Sequence, residues 1–285
     1  MLYALGFIGL LSALLLTLGW FIGGMTGLEV ALLLIVAILL LANVFPEKVM
    51  IRIYKAKKYE NGEIDKILEK LCFEAQVEKP RVFIIDNRVP NSLIVGRSKS
   101  HFTIIITKGI FDLSKDEIEG VLSHQIGHAH RGDMILMSSV AVVAYIISYI
   151  GQKAYWAFYL ENEGGAEKSF GIFLMTIFAP PAMLITRTFL TNRTEYRADK
   201  TGATITHKPM DIASAIQKIE AISKHERIHG PAATSHLWIV NPFREDKLAN
   251  AFYSHPPIEN RMHMLESAAN RSTMEREFVE PSIGF

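Results

Sequence analysis

The stretch Val121-Leu122-Ser123-His124-Gln125-Ile126-Gly127-His128-Ala129-His130-Arg131 decides how this chain is read. His124 and His128 are four residues apart, so on a helix they lie one turn above each other on one face, where both imidazoles reach a single metal ion. The helix has local support. Ser114-Lys115-Asp116-Glu117 is a capping box, with Ser114 as N-cap and Glu117 reaching back. Ile118, Val121, Leu122 and Ile126 follow as an apolar stripe at helical spacing. The pentapeptide is one residue away from H-E-x-x-H, in which the histidines hold zinc and the glutamate is the general base. Here Gln125 stands at the glutamate position. An amide is nearly isosteric with a carboxylate and still hydrogen-bonds a water, but it does not accept the proton. The stretch therefore describes a metal site without its base, through either an introduced substitution or a natural loss of activity.

Composition narrows the setting. The 285 residues are 49% hydrophobic with a mean hydropathy of +0.20, too apolar for an ordinary soluble domain, and the length allows one or two domains. A formal net charge of +1 provides no field for nucleic acid, so no nucleic-acid partner is expected. The single cysteine, Cys72, excludes an internal disulfide and a cysteine-based zinc site. It falls in a stripe with Ile64, Ile67, Leu68, Leu71 and Ala75, which is a core position.

Working outward toward residue 1, residues 1–24 carry no charged side chain and are long enough for a membrane helix, which needs ~20 apolar residues. They have no basic n-region and no small-residue cleavage site, against a signal peptide. Residues 28–45 form a second apolar run. The link 23–27 makes the pair a hairpin, and Trp20 and Phe21 fall at the level of an aromatic belt. Lys48, Arg52, Lys55, Lys57 and Lys58 follow, a basic flank that places this side in the cytoplasm and in reach of anionic lipid. After the metal stretch, residues 135–150 are a third apolar run, continuing the His124 helix or following a break at Gly132-Asp133. Residues 152–168 read as a polar loop. Residues 170–189 are a fourth run, followed by Arg193, Arg197 and Lys200. The expected architecture is mainly α, of the α+β class: four transmembrane helices and a cytoplasmic metal domain with a small β-sheet. Its parts are a transmembrane hairpin (1–46), a first half-domain with the sheet and metal helix (47–133), a second hairpin (134–190) and a second half-domain (191–285).

Within the first half-domain, residues 61–76 form an amphipathic helix. Residues 81–86, 92–95 and 101–107 are β-branched and aromatic runs separated by turns, which predicts a small sheet. Asn91, Ser92, Leu93, Ile94, Val95 and Gly96 form a candidate edge strand beside the metal, able to pair with an extended peptide through main-chain bonds. A plain structural hairpin is the alternative. The third metal ligand is expected on another helix. Thr194-Glu195-Tyr196-Arg197-Ala198-Asp199 places Glu195 and Asp199 on one face, the first to bind the metal and the second to accept a liganding histidine's ring N–H. Two imidazoles and one carboxylate leave a fourth position open, as a catalytic zinc site requires.

These features together resemble the membrane-bound metallopeptidases of family M48, of the heat-shock protease HtpX type. The resemblance rests on the two leading apolar runs, the 121–128 stretch, Glu195-Tyr196-Arg197-Ala198-Asp199, and Ser254-His255-Pro256-Pro257-Ile258-Glu259-Asn260-Arg261. Residues 91–96 and His236-Leu237-Trp238-Ile239-Val240-Asn241-Pro242 also resemble the family. The likeness covers the chain up to about Ser267. It implies a gluzincin-like zincin domain, one zinc per chain on His124, His128 and Glu195, and a substrate-pairing strand at 91–96. It implies that His255 and Arg261 lie near the site and assist the transition state. It further implies a multi-pass protein of the inner (plasma) membrane that cleaves misfolded or damaged membrane proteins on the cytoplasmic side. Gln125 is the one departure, and since the rest of the machinery is intact it favours an introduced substitution over natural decay. The competing class is a non-catalytic, metal-stabilised membrane adaptor that binds peptides. A transporter is disfavoured, because the apolar runs hold almost no charge beyond Glu29.

Overall fold

Helix α1, Leu2–Val44, is nearly uncharged along its length and is broken where two glycines meet: Gly23 (φ −141°, ψ 18°) and Gly24 (φ 58°, ψ −134°) leave helical geometry. The limbs come together at Gly19 and Gly27, where a Cβ on either would collide with the other's backbone. Eight residues of straight helix span about 12 Å, so this contact requires the chain to reverse, as the two runs predicted. The structure, a computed structural model, describes residues 2–60, 62–160, 192–243 and 255–279. Among these, the limb Gly23–Val44 is long and apolar enough to cross a membrane, with a mean hydropathy of 2.6 over its window. Phe21, Val30 and Leu33 on this hairpin are 80%, 60% and 70% exposed.

Helix α2, Pro46–Tyr54, begins with proline at its first turn, where the missing N–H costs nothing. It is followed by β1 (Lys57–Lys58), α3 (Gly62–Ala75), β2 (Arg81–Ile85), β3 (Ser92–Ser98) and β4 (His101–Thr107). The sheet order is β1-β2-β4-β3, with β2 parallel to β4 and the other pairs antiparallel. β3 is therefore an edge strand, as expected. β1, inside the basic run, was not: two exposed lysines carry no hydrophobic alternation. α3 buries Ile64, Ile67, Leu68, Leu71, Cys72 and Ala75 against the sheet and the metal helix.

The metal helix α4, Lys115–Arg131, starts at the predicted capping box. Glu117 N–H donates to Ser114 Oγ (3.3 Å) and Ser114 N–H to Glu117 Oε2 (2.8 Å). The same carboxylate accepts from Ser214 Oγ and pairs with Lys218 Nζ, each at 2.6 Å. Burial pushes the Glu117 carboxyl up, but Lys218, Ser214 and Ser114 outweigh it and hold its pKa at about 2. α4 ends at Gly132, which is left-handed (φ 75°). The chain then turns by 94° into α5, Asp133–Leu160. The break expected at Gly132-Asp133 is thus a sharp corner. Residues 152–160, expected to open a polar loop, instead complete α5, because Ala154-Tyr155-Trp156-Ala157-Phe158-Tyr159-Leu160 offers no helix breaker. The bent pair Lys115–Arg131 and Asp133–Tyr149 is apolar enough to count together as a second span. The fourth apolar run, 170–189, and residues 161–168 lie outside the described residues.

α6 (Asn192–Thr206) and α7 (Pro209–Ser223) pack on α4, a short 3-10 helix spans Ala232–Leu237, and α8 (Ile258–Val279) closes the domain. One core layer joins α3, α4, α7 and one face of the sheet. A second joins α2, the foot of α5, the opposite face of β3 and Trp238.

Candidate metal centre

α4 and α6 approach backbone to backbone because of two glycines. A Cβ on Gly127 would lie 2.6 Å from Ala198 O, and one on Gly202 would lie 2.9 Å from Ser123 O. Any larger residue at either position would push α6 away. The close approach brings the second helix's carboxylates to the two histidines. His124 Nε2 is 3.6 Å from Glu195 Oε2, and His128 Nε2 is 3.6 Å from Glu195 Oε1. All three donor groups lie within 4.8 Å of one another and are buried.

Behind this cluster the orienting contacts are short. Asp199 Oδ1 accepts from His124 Nδ1 at 2.7 Å, which leaves the Nε2 lone pair facing Glu195. Arg261, on α8, donates Nε to Asp199 Oδ2 and Nη2 to Asp199 Oδ1, both at 2.7 Å, a two-pronged grip. Its Nη1 donates to Ile239 O at 2.6 Å. Arg261 is 1% exposed and Asp199 is fully buried. The structure therefore places Arg261 behind the cluster, with Nη1 4.0 Å from Glu195 Oε2. His255 stands nearer the front: its Nε2 is 3.8 Å from Glu195 Oε2 and donates to Trp238 O at 2.6 Å. Gln125 donates Nε2 to both Ser92 Oγ (2.8 Å) and Ser92 O (3.1 Å), tying the metal helix to the edge strand. Asn91, Ser92, Leu93, Ile94 and Val95 are all buried beside it, and Gly96 N–H donates to Ser138 Oγ on α5 at 2.9 Å.

The electrostatics match a cation site. Burial lowers His124, against the raising pull of Asp199, and lowers His128 well below the imidazole range, so both are neutral donors. Burial also pushes the Glu195 carboxyl up to about 8, although Arg261 pulls it down. Burial would likewise raise Asp199, but Arg261 and His124 outweigh it and hold it well below the usual range. Burial takes His255 down to about 3. Arg261, the cation beside Glu195, spends its short contacts on Asp199 and leaves the Glu195 carboxyl raised. Glu195 Oε2 and His128 Nδ1 have no hydrogen-bond partner among the described residues. Two neutral imidazoles and an unsatisfied carboxylate oxygen, facing each other, fit a divalent metal.

The model of peptidase family M48 matches residues 58–269 of this sequence. The chain belongs to peptidase family M48. It is 33% identical over 267 residues to a protease HtpX homolog of Pyrococcus abyssi, covering 91% of this chain and 92% of the relative. It is 34% identical over 269 residues to a protease HtpX homolog of Pyrococcus furiosus, again covering 91% and 92%. A crystal structure of S. mikatae Ste24p superposes with a TM-score of 0.47 at 21% identity, covering 82% of this chain and 57% of that one. The M48 protein is thus an HtpX-like metalloprotease by family, a metal cofactor follows from that membership, and His124, His128 and Glu195 form the cluster able to hold it. Tyr54 and Ser138 had no part in the sequence expectations, and Trp238 entered only within the 236–242 resemblance; all three hold the surroundings of the centre through long-range contacts with no local signal.

Proposed function

We propose that this M48 protein is an integral-membrane zinc endopeptidase whose base position is held by Gln125, so that the chain as it stands is inactive toward peptide bonds. The observation that carries the reading is the arrangement of His124, His128 and Glu195 around one point, with Gln125 on the same helix at the glutamate position. Zinc, when bound, would polarise a peptide carbonyl and activate a water. The chain's own residues do the rest. Asp199 holds the tautomer of His124, β3 offers main-chain groups to an extended peptide, and His255 is placed to donate a proton-bearing nitrogen to a carbonyl oxygen. Elemental analysis of the purified chain is expected to show about one zinc per chain, and His128→Ala to lose it. Full zinc occupancy in both His124→Ala and His128→Ala would refute the assignment.

Membrane proteins, or loops they expose, are the substrates this reading favours, in quality control at the inner membrane. Its support is the exposed apolar hairpin and the 94° corner that leads from the metal helix straight into α5. Positive flanks after residues 45 and 189 place the catalytic domain in the cytoplasm and residues 152–168 outside. Cysteine labelling at Lys57 and at Glu163 should then come from opposite sides. Labelling of both from one side would contradict the four-helix topology. One observation favours the non-catalytic peptide-binding alternative: the Gln125 amide is matched to Ser92 O, an acceptor to which a carboxylate could not donate.

A further inference from the structure

No group of the centre is open to a polypeptide. His124 and His128 are 1% exposed, Gln125 0%, Glu195 5% and His255 3%. What lies against the cleft is a segment of the chain itself. Trp238 forms an antiparallel bridge with Leu93 on β3. Ile239 N–H donates to Ser92 O at 3.0 Å, and Asn91 Nδ2 donates to Val240 O at 2.8 Å. On its other side, Trp238 O accepts from His255 Nε2 and Ile239 O from Arg261 Nη1, each at 2.6 Å. These are the main-chain contacts an extended peptide would make on adding to the β3 edge. The Trp238–Ile239 peptide unit spans from β3 to His255, whose Nε2 is 3.8 Å from Glu195 Oε2.

We infer that residues 238–240 are a self-bound strand that fills the peptide track of the centre and must leave β3 before a protein substrate is seated. The inference rests on the proposed reading of β3 as the peptide-binding edge. The strand adds little main chain to the sheet. Its pairing to β3 is one bridge and one main-chain hydrogen bond, whereas β3 and β4 pair at six positions. Off β3 the strand is held by His255, Arg261 and Asn91, by the burial of Trp238, Ile239 and Val240 in the two core layers, and by Tyr54 on α2, whose hydroxyl accepts from Trp238 Nε1 at 3.3 Å and bonds Thr234 Oγ1. The rings of Tyr54 and Trp238 meet edge to face at 5.2 Å. A substrate strand could replace the bonds to β3 and those from His255, Arg261 and Asn91 one for one, so displacement costs the Tyr54 contacts and the buried packing of Trp238, Ile239 and Val240.

The test uses the full chain in detergent with fluorescein-labelled unfolded casein, and reads hydrogen exchange by mass spectrometry. Casein should raise exchange across residues 235–241, where the Ile239 N–H loses Ser92 O, and leave β3 protected. Tyr54→Phe, checked for folding by its thermal transition, should bind casein about 5- to 10-fold tighter, the change that corresponds to one lost hydrogen bond in the competing strand. Casein bound with unchanged exchange at 235–241 would overturn the inference, as would equal affinity in a folded Tyr54→Phe or no casein binding by either chain. The protease reading is judged separately, by cleavage in Gln125→Glu. Cleavage without exchange at 235–241 removes the self-bound strand alone, and exchange without cleavage removes the protease alone.

Discussion

Gln125→Glu is expected to raise casein cleavage by roughly 10²–10⁴-fold, the usual contribution of a positioned general base. The metal cluster, its orienting carboxylate and the His255 donor do not include residue 125. What is missing is a group that takes a proton. The structure also indicates how the exchange would be felt locally. The Gln125 amide now donates to Ser92 O and Ser92 Oγ, while its own Oε1 is buried with no partner among the described residues. A carboxylate keeps the Ser92 hydroxyl as a donor but is repelled by the Ser92 carbonyl, and so turns away from β3. Gln125→Asp should rescue poorly, since its carboxylate ends about 1.5 Å short, one carbon–carbon bond. Activity gained by Gln125→Glu should vanish with a chelator, return with zinc and require Glu195. A folded, zinc-loaded Gln125→Glu that leaves casein intact would hand the lead to the peptide-binding alternative.

The second large effect belongs to Arg261. Its guanidinium grips both oxygens of a fully buried carboxylate, so Arg261→Leu leaves Asp199 as a buried charge held only by His124. Breaking one side of such a pair costs about 3–5 kcal/mol. Part of this should appear as lower stability and part as zinc affinity reduced by roughly 10–100-fold, the usual effect of losing an outer partner of a metal ligand. Arg261→Lys should restore little, because an ammonium does not reproduce the two-pronged contact. The deciding measurement is kcat at saturating zinc in the Gln125→Glu background. A positioning role leaves kcat nearly unchanged once zinc is restored. A direct donor to the developing oxyanion would cost roughly 10²–10³ in kcat even then.

What could be read from the sequence followed the range of the signal. The capping box at Ser114 and Glu117 and the stripe from Ile118 to Ile126 are separated by one to four residues, and both formed as read. The edge position of β3 was legible because its β-branched run sits between turns. Glu195 and Asp199 were legible only as partners for the histidines, since an acidic pair four apart is ordinary on any helix. Gly127 and Gly202, which let α6 approach, carry no sign in sequence of what they touch. Arg261 was placed near the site by the family resemblance alone, and local pattern could not have done so. Its partner is 62 residues away, and a charged side chain in a helix reads as exposed until a buried counterion is seen. The pairing of Leu93 with Trp238, 145 residues apart, is beyond local pattern altogether, and β1 is too short and too charged to show any period.

If α5 enters a membrane as proposed, the corner at Gly132 sets how far the metal cluster sits from it. His128 is three residues before the end of α4, a rise of about 5 Å along the helix axis. Two residues past Asp133, Ile135 is already 40% exposed, and Leu136 is 37% exposed. The point at which the proposed membrane surface begins is therefore within about two helical turns of the metal-binding face. An extended chain advances about 3.3–3.6 Å per residue. A substrate anchored in the same bilayer would need only a handful of residues beyond its own last apolar turn to reach the centre. Longer tethers would have to loop back. On the proposed membrane-protease reading, the preferred cut would fall close to a membrane anchor, and tether length would become a means of selection separate from side-chain recognition.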